Sequence, residues 1–319
     1  MHRAVVLIFA VCWSSALPAQ VANMPQSVQD LLSEVGPAWG ANLDQNIRKT
    51  RDAYSAVLAQ SPRSGVTVVS DLSYGEDPRH KLDLYLREGQ TGVPVVAFLH
   101  GGAYVRGDRN INAQLFSNVG IYFARQGLVA VNATYRLAPS AVWPSGAEDV
   151  AALVRWLRAN AANYGGDPGR IYLIGHSAGA THVASYAYIR SLQPVDGPGI
   201  AGMVLMSGRY RVDPKADDPR LQGVQAYFGT DTGQYPSRSP LNHIKAARPI
   251  PTFIVIAEYE NPGLDIQGAL LYAGLCERDG SCPRFTRLEH HNHSSEVYQF
   301  NTPDQALGLE ILEFIRRGR

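Results

Sequence analysis

The chain has 319 residues, 45% of them hydrophobic, and a formal net charge of +1 at pH 7. This near-neutral balance gives no electrostatic basis for binding nucleic acid or an anionic membrane surface. The length and the apolar fraction suit one large domain with a sizeable core, and the sequence contains no repeats or low-complexity tracts.

The N-terminus has the pattern of an export signal. Arg3 makes the start basic, residues 4–13 are apolar, and small residues follow as far as Ala19. The apolar run is shorter than the roughly 20 residues that a helix needs to cross a bilayer. We therefore expect a signal peptide over residues 1–19, cleaved after Ala19 or, as second choice, after Ala16. The product would be secreted or periplasmic, without stable membrane insertion.

Two kinds of segment follow the signal. Residues 20–65 are polar and helix-prone, chiefly from Gln26 to Leu58, and from residue 66 onwards short apolar runs alternate with segments of helical length. This alternation predicts an α/β fold over residues 66–319: a doubly wound, mostly parallel sheet with helices on both faces. The predicted strands cover residues 66–70, 80–86, 95–99, 128–133, 171–174, 202–206, 252–257 and 285–288, and the last helix covers 303–317.

A glycine pair follows the third predicted strand, in the sequence His100-Gly101-Gly102-Ala103-Tyr104. Glycines let the backbone approach a ligand closely, and acyl transfer needs N–H donors aimed at one developing oxyanion. We predict that the amides of Gly102 and Ala103, with that of Ala178, form an oxyanion hole. The alternative is an ordinary Gly-Gly turn.

The most informative motif follows strand 171–174. Gly175-His176-Ser177-Ala178-Gly179 lies between that strand and a segment of helical composition, 180–190. A serine flanked by glycines in a strand-to-helix turn is typical of a nucleophile elbow. The turn imposes strained backbone angles on Ser177, and the strand and the helix pass closely only because Gly175 and Gly179 have no side chains.

On these two motifs the chain resembles the α/β-hydrolase fold. Within that fold it is similar to the esterase branch with His-Gly-Gly upstream of the nucleophile, which includes hormone-sensitive-lipase-like and feruloyl-esterase-like carboxylesterases and arylformamidases. Many hormone-sensitive-lipase relatives have Asp before the serine and a second Gly after the elbow, where this chain has His176 and Ala180. This departure favours the arylformamidase and feruloyl-esterase-like groups. Supporting stretches are Tyr135–Pro139, Trp143–Pro144, Glu148–Val150 and Tyr164–Arg170.

The regular alternation breaks between residues 207 and 248. The segment is rich in proline and has one short apolar stretch, Val224 to Phe228. We expect a small insertion over the active site, to which the N-terminal helices also contribute as a lid.

A cluster of histidines, His290, His291 and His293, follows the last predicted strand. A catalytic serine needs a general base, and the base needs an orienting acid. The resemblance implies the chain order serine, acid, histidine, with the base in the loop before the C-terminal helix. We therefore expect His293 to be the base, and His290 and His291 to be structural or solvent-facing. A zinc site built from this cluster is the weaker alternative.

Three carboxyl groups follow strand 252–257: Glu258, Glu260 and Asp265. The resemblance implies a small residue, a variable acidic residue and one spacer before the triad acid, which nominates Glu260. A Glu suits this role because the acid need only orient the imidazole and stabilise its charged form. Asp265 is the more usual residue type but falls in the next predicted helix. Asp265 and Glu258 stay open as alternatives.

Cys276 and Cys282 flank a short polar loop between a predicted helix, 264–275, and strand 285–288. An exported chain is exposed to oxidising conditions, so we expect a disulfide between them, with two free thiols as the alternative.

The sequence predicts a serine esterase that cleaves short acyl or aryl esters of small molecules, with Ser177, Glu260 and His293 as the triad. No Gly-x-Gly-x-x-Gly or phosphate loop is present, and we expect neither a cofactor nor a metal. An arylformamidase or other amide hydrolase with the same triad is the second interpretation. A non-catalytic binding protein is a remote third, because the chain keeps both the serine and the histidine.

Overall fold

Eight strands form one sheet at the centre of the molecule. The computed structural model describes residues 20–318, and the sheet order is β1-β2-β4-β3-β5-β6-β7-β8. The β1–β2 and β2–β4 pairs are antiparallel and the other five are parallel, which confirms the predicted mostly parallel sheet. The strands are Thr67–Ser73 (β1), Lys81–Leu86 (β2), Val93–Leu99 (β3), Val129–Ala133 (β4), Gly166–His176 (β5), Gly202–Met206 (β6), Thr252–Tyr259 (β7) and Arg284–Asn292 (β8).

Helices cover both faces of the sheet. They are Gln26–Val35 (α1), Leu43–Leu58 (α2), Ser117–Arg125 (α3), Ser145–Asn160 (α4), Ala178–Tyr188 (α5), Leu221–Phe228 (α6), Tyr235–Arg238 (α7), Leu264–Asp279 (α8), Ser295–Tyr298 (α9) and Ala306–Arg317 (α10). One buried cluster includes Tyr54 of α2 and Phe314 of α10, and a second includes Leu153 of α4 and Leu271 of α8. The central strands are buried on both sides, as the continuous apolar runs predict.

The carboxyl ends of the parallel strands lie along one edge of the sheet. His100 directly follows β3, Ser177 follows β5, Ser207 follows β6, Glu260 follows β7 and His293 follows β8. Because β3, β5, β6, β7 and β8 are neighbours in that order, residues far apart in the chain meet at this edge.

The last strand is longer than the sequence predicts. β8 continues to Asn292, which pairs with Tyr259 of β7 after an irregularity in the register. His290 and His291 therefore belong to this strand. His293, the first residue beyond it, begins the functional loop.

The expected signal peptide, residues 1–19, lies outside the described residues. Between residues 20 and 318, no helix is both long and apolar enough to cross a membrane. At the end of α8 the structure pairs Cys276 with Cys282, with the two Cα atoms 4.2 Å apart.

Candidate active site

Ser177 occupies a sharp turn between β5 and α5. Its backbone angles, φ 54° and ψ −119°, lie in a region that costs a non-glycine residue free energy. The turn is held by neighbouring backbone, because the Ser177 N–H donates a 2.8 Å hydrogen bond to the carbonyl oxygen of Met206 at the end of β6. The half-buried side chain lines a cavity of about 500 Å³ at the sheet edge.

The two glycines of the elbow are required by close backbone contacts. A Cβ on Gly179 would lie 2.2 Å from the carbonyl oxygen of Leu99, and one on Gly175 would lie 2.5 Å from the Cα of Ala180. No side chain fits at these separations. The glycines let α5 pass directly against β3 and β5, and so present Ser177 at the tip of the turn.

The loop after β3 presents backbone donors to the same cavity. Gly102, Ala103 and Ala178 all line it. Among the described residues, none of their three amides donates to a protein acceptor. Ala103 and Tyr104 have φ angles of 51° and 69°, so the loop is strained next to the elbow. Three unpaired N–H donors at one cavity are the arrangement that binding of a ligand oxygen requires.

His293 and Glu260 form a close buried pair. Nδ1 of His293 lies 2.5 Å from Oε1 of Glu260, and both side chains are less than a tenth exposed. Oε1 also accepts a 2.7 Å hydrogen bond from the Asn261 amide. Burial alone would raise the pKa of Glu260, but the charge and hydrogen bond of His293, with donation from Ser207 and Asn261, hold it below its ordinary value. Glu260 is therefore ionised and fixes the proton of His293 on Nδ1.

The other two candidate acids lie elsewhere. Glu258 accepts a hydrogen bond from the His290 backbone N–H and pairs with Arg287 at 3.3 Å. Asp265 is exposed in the first turn of α8. Of the three carboxyl groups left open by the sequence, the structure brings only Glu260 to His293.

The remaining histidines of the cluster have different surroundings. His290 is exposed and has a positive φ of 64°. His291 is buried, with Nε2 3.0 Å from Oδ2 of Asp304 and Nδ1 3.1 Å from Oγ of Ser295. Both match the structural or solvent-facing expectation for these two residues.

Sequence reasoning assigned no role to Ser207 or Glu296. Ser207 donates a hydrogen bond to Glu260, and its Oγ also lies 3.0 Å from Oε2 of Glu296, whose side chain is fully buried. Oε1 of Glu296 is 3.8 Å from Nδ1 of His293. Burial, reinforced by the charge of Glu260, raises the pKa of Glu296 well above its ordinary value. The available sequence signal is a glutamate three residues after His293.

His176 packs against His293, with the two ring centroids 4.6 Å apart. Its Nε2–H donates to the carbonyl oxygen of His293 at 2.9 Å, and burial lowers the pKa of His176 to about 4. His100 donates from Nδ1 to the carbonyl oxygen of Gly101 at 2.7 Å, and burial lowers its pKa to about 4 as well. Both rings therefore hold the loops as neutral donors.

One group of metal-ligating side chains lies within residues 20–318: His176, His293 and Glu296, with ligand atoms within 4.8 Å of one another. Nδ1 of His293 is already engaged by Glu260, and Nε2 of His176 donates to a backbone carbonyl. A cation would have to displace both hydrogen bonds. The donor set therefore fits a hydrogen-bonded network better than a metal site.

The cavity is roofed by segments outside the sheet. Asp44, Ile47 and Arg48 of α2 line it from one side, and Arg220 and Val224 from the insertion line it from another. The insertion also packs on the loop after β3.

The contact between the insertion and that loop is aromatic. Tyr104 stacks on Tyr227 of α6, with ring centroids 5.0 Å apart and planes within 8°. The hydroxyl of Tyr104 lies 3.1 Å from Oγ1 of Thr181, in the helix that begins at the elbow. The insertion, the glycine loop and α5 thus form one packed unit around the cavity.

A serine on a strained turn after a central parallel strand, with a histidine and an acid after the later strands, defines the α/β-hydrolase fold. Residues 82–198, which include both glycine motifs, match the family model described as BD-FAE. The chain thus has the fold of the α/β-hydrolases, and over residues 82–198 it is similar to the family described as BD-FAE.

Curated relatives are named as esterases. A probable isoprenylcysteine alpha-carbonyl methylesterase of Oryza sativa subsp. japonica is 38% identical over 135 residues, 42% of this chain and 31% of the relative. A second rice protein of that description is 26% identical over 73% of this chain and 59% of its own length. Esterase LipC of Mycobacterium tuberculosis is 31% identical over 49% of this chain and 35% of its own length. The chain therefore spans 31% to 59% of the length of these relatives.

Solved structures share the fold over nearly the whole chain. Esterase B from Lactobacillus rhamnosis superposes with a TM-score of 0.69 at 20% identity, covering 92% of this chain and 96% of the other. A bacterial heroin esterase has a TM-score of 0.68 at 21% identity, covering 94% and 99%. At these identities the likeness establishes the architecture.

Proposed function

We propose that the protein is a carboxylic ester hydrolase that works through an acyl-enzyme intermediate on Ser177. The observation that carries the proposal is the buried His293–Glu260 pair, with its 2.5 Å contact, beside the cavity that Ser177 and the free amides share. The esterase names of the curated relatives support the same reaction class. They favour an ester substrate over a formamide.

The first half of the reaction acylates the serine. Oγ of Ser177 attacks the ester carbonyl carbon while its proton passes to Nε2 of His293, the ring nitrogen that Glu260 leaves free. The carbonyl electron pair moves onto oxygen, where the amides of Gly102, Ala103 and Ala178 donate to it. The tetrahedral intermediate then expels the alcohol oxygen, which takes the proton from His293.

The second half hydrolyses the acyl-serine. A water molecule attacks the acyl carbonyl carbon and gives a proton to His293. The same amides stabilise the second tetrahedral intermediate, and its collapse breaks the acyl–Oγ bond and returns the proton to Ser177. Glu260 remains ionised throughout and stabilises the imidazolium that forms twice in each cycle.

The test combines stoichiometric labelling with rapid kinetics. A fluorophosphonate should label Ser177 once per chain and abolish hydrolysis of 4-nitrophenyl acetate, and rapid mixing with this ester should release a burst of 4-nitrophenol equal to one site. Ser177→Ala and His293→Ala should each lose nearly all turnover. The exposed serine variant Ser237→Ala and the exposed histidine variant His290→Ala should retain it. A label on another serine, or substantial turnover in Ser177→Ala, would contradict the proposal.

A further inference from the structure

The charged side chains around the cavity are predominantly cationic. Apart from histidines, they comprise five arginines and two aspartates: Arg48, Arg51, Arg106, Arg209, Arg220, Asp44 and Asp218. The whole chain carries a formal net charge of only +1, so this excess is a property of the cavity.

One of the two aspartates is already neutralised inside the wall. Arg209 and Asp218 form an ion pair with each other, and their side chains are 10% and 9% exposed. Because the two charges cancel, this pair adds little to the net charge that a ligand in the cavity would meet. The remaining negative charge among the lining residues is Asp44.

Asp44 lies among three guanidinium groups and balances only one of them. Arg220 is 3.1 Å from its carboxylate and Arg106 is 3.9 Å away, while Arg48 lies one helical turn further along α2. The hydrogen bond and charge of Arg220, followed by the charges of Arg106 and Arg48, hold the pKa of Asp44 below its ordinary value despite some burial. One carboxylate is therefore shared by three guanidinium groups, which leaves a local excess of two positive charges.

Three separate parts of the chain bring these cations to one opening. Arg48 and Arg51 lie four and seven residues after Asp44, on one face of α2, and Arg51 is itself paired with Asp52 at 3.1 Å. Arg106 follows the glycine loop, and Arg220 precedes α6. The Arg106 side chain is 60% exposed, so it is available to a ligand. Guanidinium groups match carboxylates in geometry and bind them through paired N–H donors.

We propose that the protein selects esters that carry a second, ionised carboxylate away from the scissile bond, held by the arginines around Asp44. The inference rests on the proposed esterase function and specifies its substrate class. Both the acyl part and the alcohol part of an ester can carry such a carboxylate, and the experiment has an arm for each.

The experiment compares matched esters that differ in charge. Mono-4-nitrophenyl adipate is paired with 4-nitrophenyl hexanoate for the acyl side, and 3-acetoxybenzoate with 3-acetoxybenzamide for the alcohol side. Each kcat/KM is divided by the alkaline hydrolysis rate of the same ester, which removes differences in intrinsic reactivity. We expect the anionic member of at least one pair to be preferred. The preference should fall between about 0.02 M and about 0.5 M NaCl, because salt screens exposed charges.

Variants with opposite expected effects separate electrostatic selection from structural damage. Arg48→Gln and Arg106→Gln should each lower the anionic-to-neutral ratio by about two- to fivefold, the size expected for an exposed ion pair. Asp44→Asn removes the competing carboxylate and should raise the ratio by a similar factor. Lys245→Gln, an exposed cation outside the cavity lining, serves as the control and should leave the ratio unchanged.

The outcomes distinguish this inference from the proposed function. Hydrolysis of the neutral esters with no anionic preference in either pair at low salt would overturn the inference alone. The same conclusion follows if Asp44→Asn and Arg48→Gln move the ratio in the same direction. Failure to hydrolyse any of the four esters above the Ser177→Ala background would instead overturn the esterase function.

Discussion

Oε2 of Glu296 lies 3.0 Å from Oγ of Ser207, in a region where both side chains are buried. The Ser207 hydroxyl has one proton, and it donates this proton to Glu260. A hydrogen bond between Ser207 and Glu296 therefore requires Glu296 to be the donor, which means a protonated carboxyl group. This agrees with the strong upward shift in its pKa. Glu296, Ser207 and Glu260 then form a directed chain of donors that ends at the carboxylate facing His293.

This assignment predicts how Glu296→Gln changes stability with pH. The folded protein keeps a proton on Glu296 that the unfolded chain releases above the ordinary Glu pKa, 4.5 here. The contribution of Glu296 to the free energy of unfolding of the wild type is therefore complete below that value. It decreases by up to about 1.4 kcal/mol per pH unit as pH rises towards the folded pKa. Glutamine keeps a donor and does not titrate. The free energy of unfolding of Glu296→Gln should thus rise relative to wild type between pH 5 and pH 8.

Urea denaturation at pH 5, 6.5 and 8 measures this difference. The control is Glu277→Gln, whose wild-type side chain is 69% exposed, and its curve should run parallel to wild type. If the free energy of unfolding of Glu296→Gln also changes with pH in parallel with that of the wild type, Glu296 is not held protonated.

Glu260→Gln should lower kcat by orders of magnitude. The amide loses the negative charge that stabilises the imidazolium, and its N–H₂ group favours the wrong tautomer of His293. The equivalent change in serine proteases costs about 10⁴. Steady-state kinetics on a 4-nitrophenyl ester is sufficient as the measurement. Glu258→Gln and Asp265→Asn are the matched controls, because neither side chain contacts His293 in the described residues. Loss of activity in Asp265→Asn with full activity in Glu260→Gln would reassign the acid.

Three buried histidines should make the protein acid-sensitive. Burial lowers the pKa of His100 and His176 to about 4, and that of His182 to about 3. As pH falls from about 6.5, the unfolded chain gains protons that the folded protein does not, so stability declines down to the folded pKa values. We expect the free energy of unfolding to fall between about pH 6 and pH 4.5, where the three histidines together outweigh the opposite contribution of Glu296. Neither ring nitrogen of His182 has a hydrogen-bond partner among the described residues. His182→Leu should therefore reduce the difference in bound protons between the unfolded and folded states by about one, which flattens this slope, whereas His290→Asn, at an exposed histidine, should leave it unchanged. An unchanged slope in His182→Leu would contradict the assignment.

Export and oxidation can be read from one intact-mass measurement. Protein recovered from the periplasm or the medium of an expressing cell should begin at Gln20 or, as second choice, at Leu17. Its mass should be lower by two hydrogens than that of the reduced chain, through a Cys276–Cys282 bond, and alkylation before reduction should add nothing to it. Retention of Met1 would contradict processing, and two alkylatable thiols in exported protein would contradict the disulfide.

Much of this site can be predicted from local sequence signals. The remainder depends on how segments that are distant in the chain pair and pack together. Ser177 and the glycine loop lie directly after continuous apolar runs, so strand periodicity and turn residues suffice to predict where they occur. The distance between His293 and Glu260 depends on the pairing of β7 with β8, which chain order anticipates but does not determine. Glu296 resembles any surface glutamate of a short helix in the sequence. Its burial arises only when α9 packs behind the base.

The cluster of arginines around Asp44 cannot be predicted from the sequence for a related reason. They come from α2, from the segment after the glycine loop and from the insertion, and nothing in the local sequence indicates that these segments converge. Net charge also conceals them, because acidic residues elsewhere in the chain compensate for them.

The sheet edge has a consequence for how such a site changes over evolution. The glycine loop, Ser177, Ser207, Glu260 and His293 each follow a different strand in an unbroken run of five neighbours. The lateral separation of these groups is therefore a multiple of the spacing between hydrogen-bonded strands, about 4.8 Å. Backbone hydrogen bonds maintain that spacing whatever side chains fill the core beneath. The distances between catalytic groups can thus persist while core residues and roof segments diverge, and substrate preference is free to change without rebuilding the chemistry.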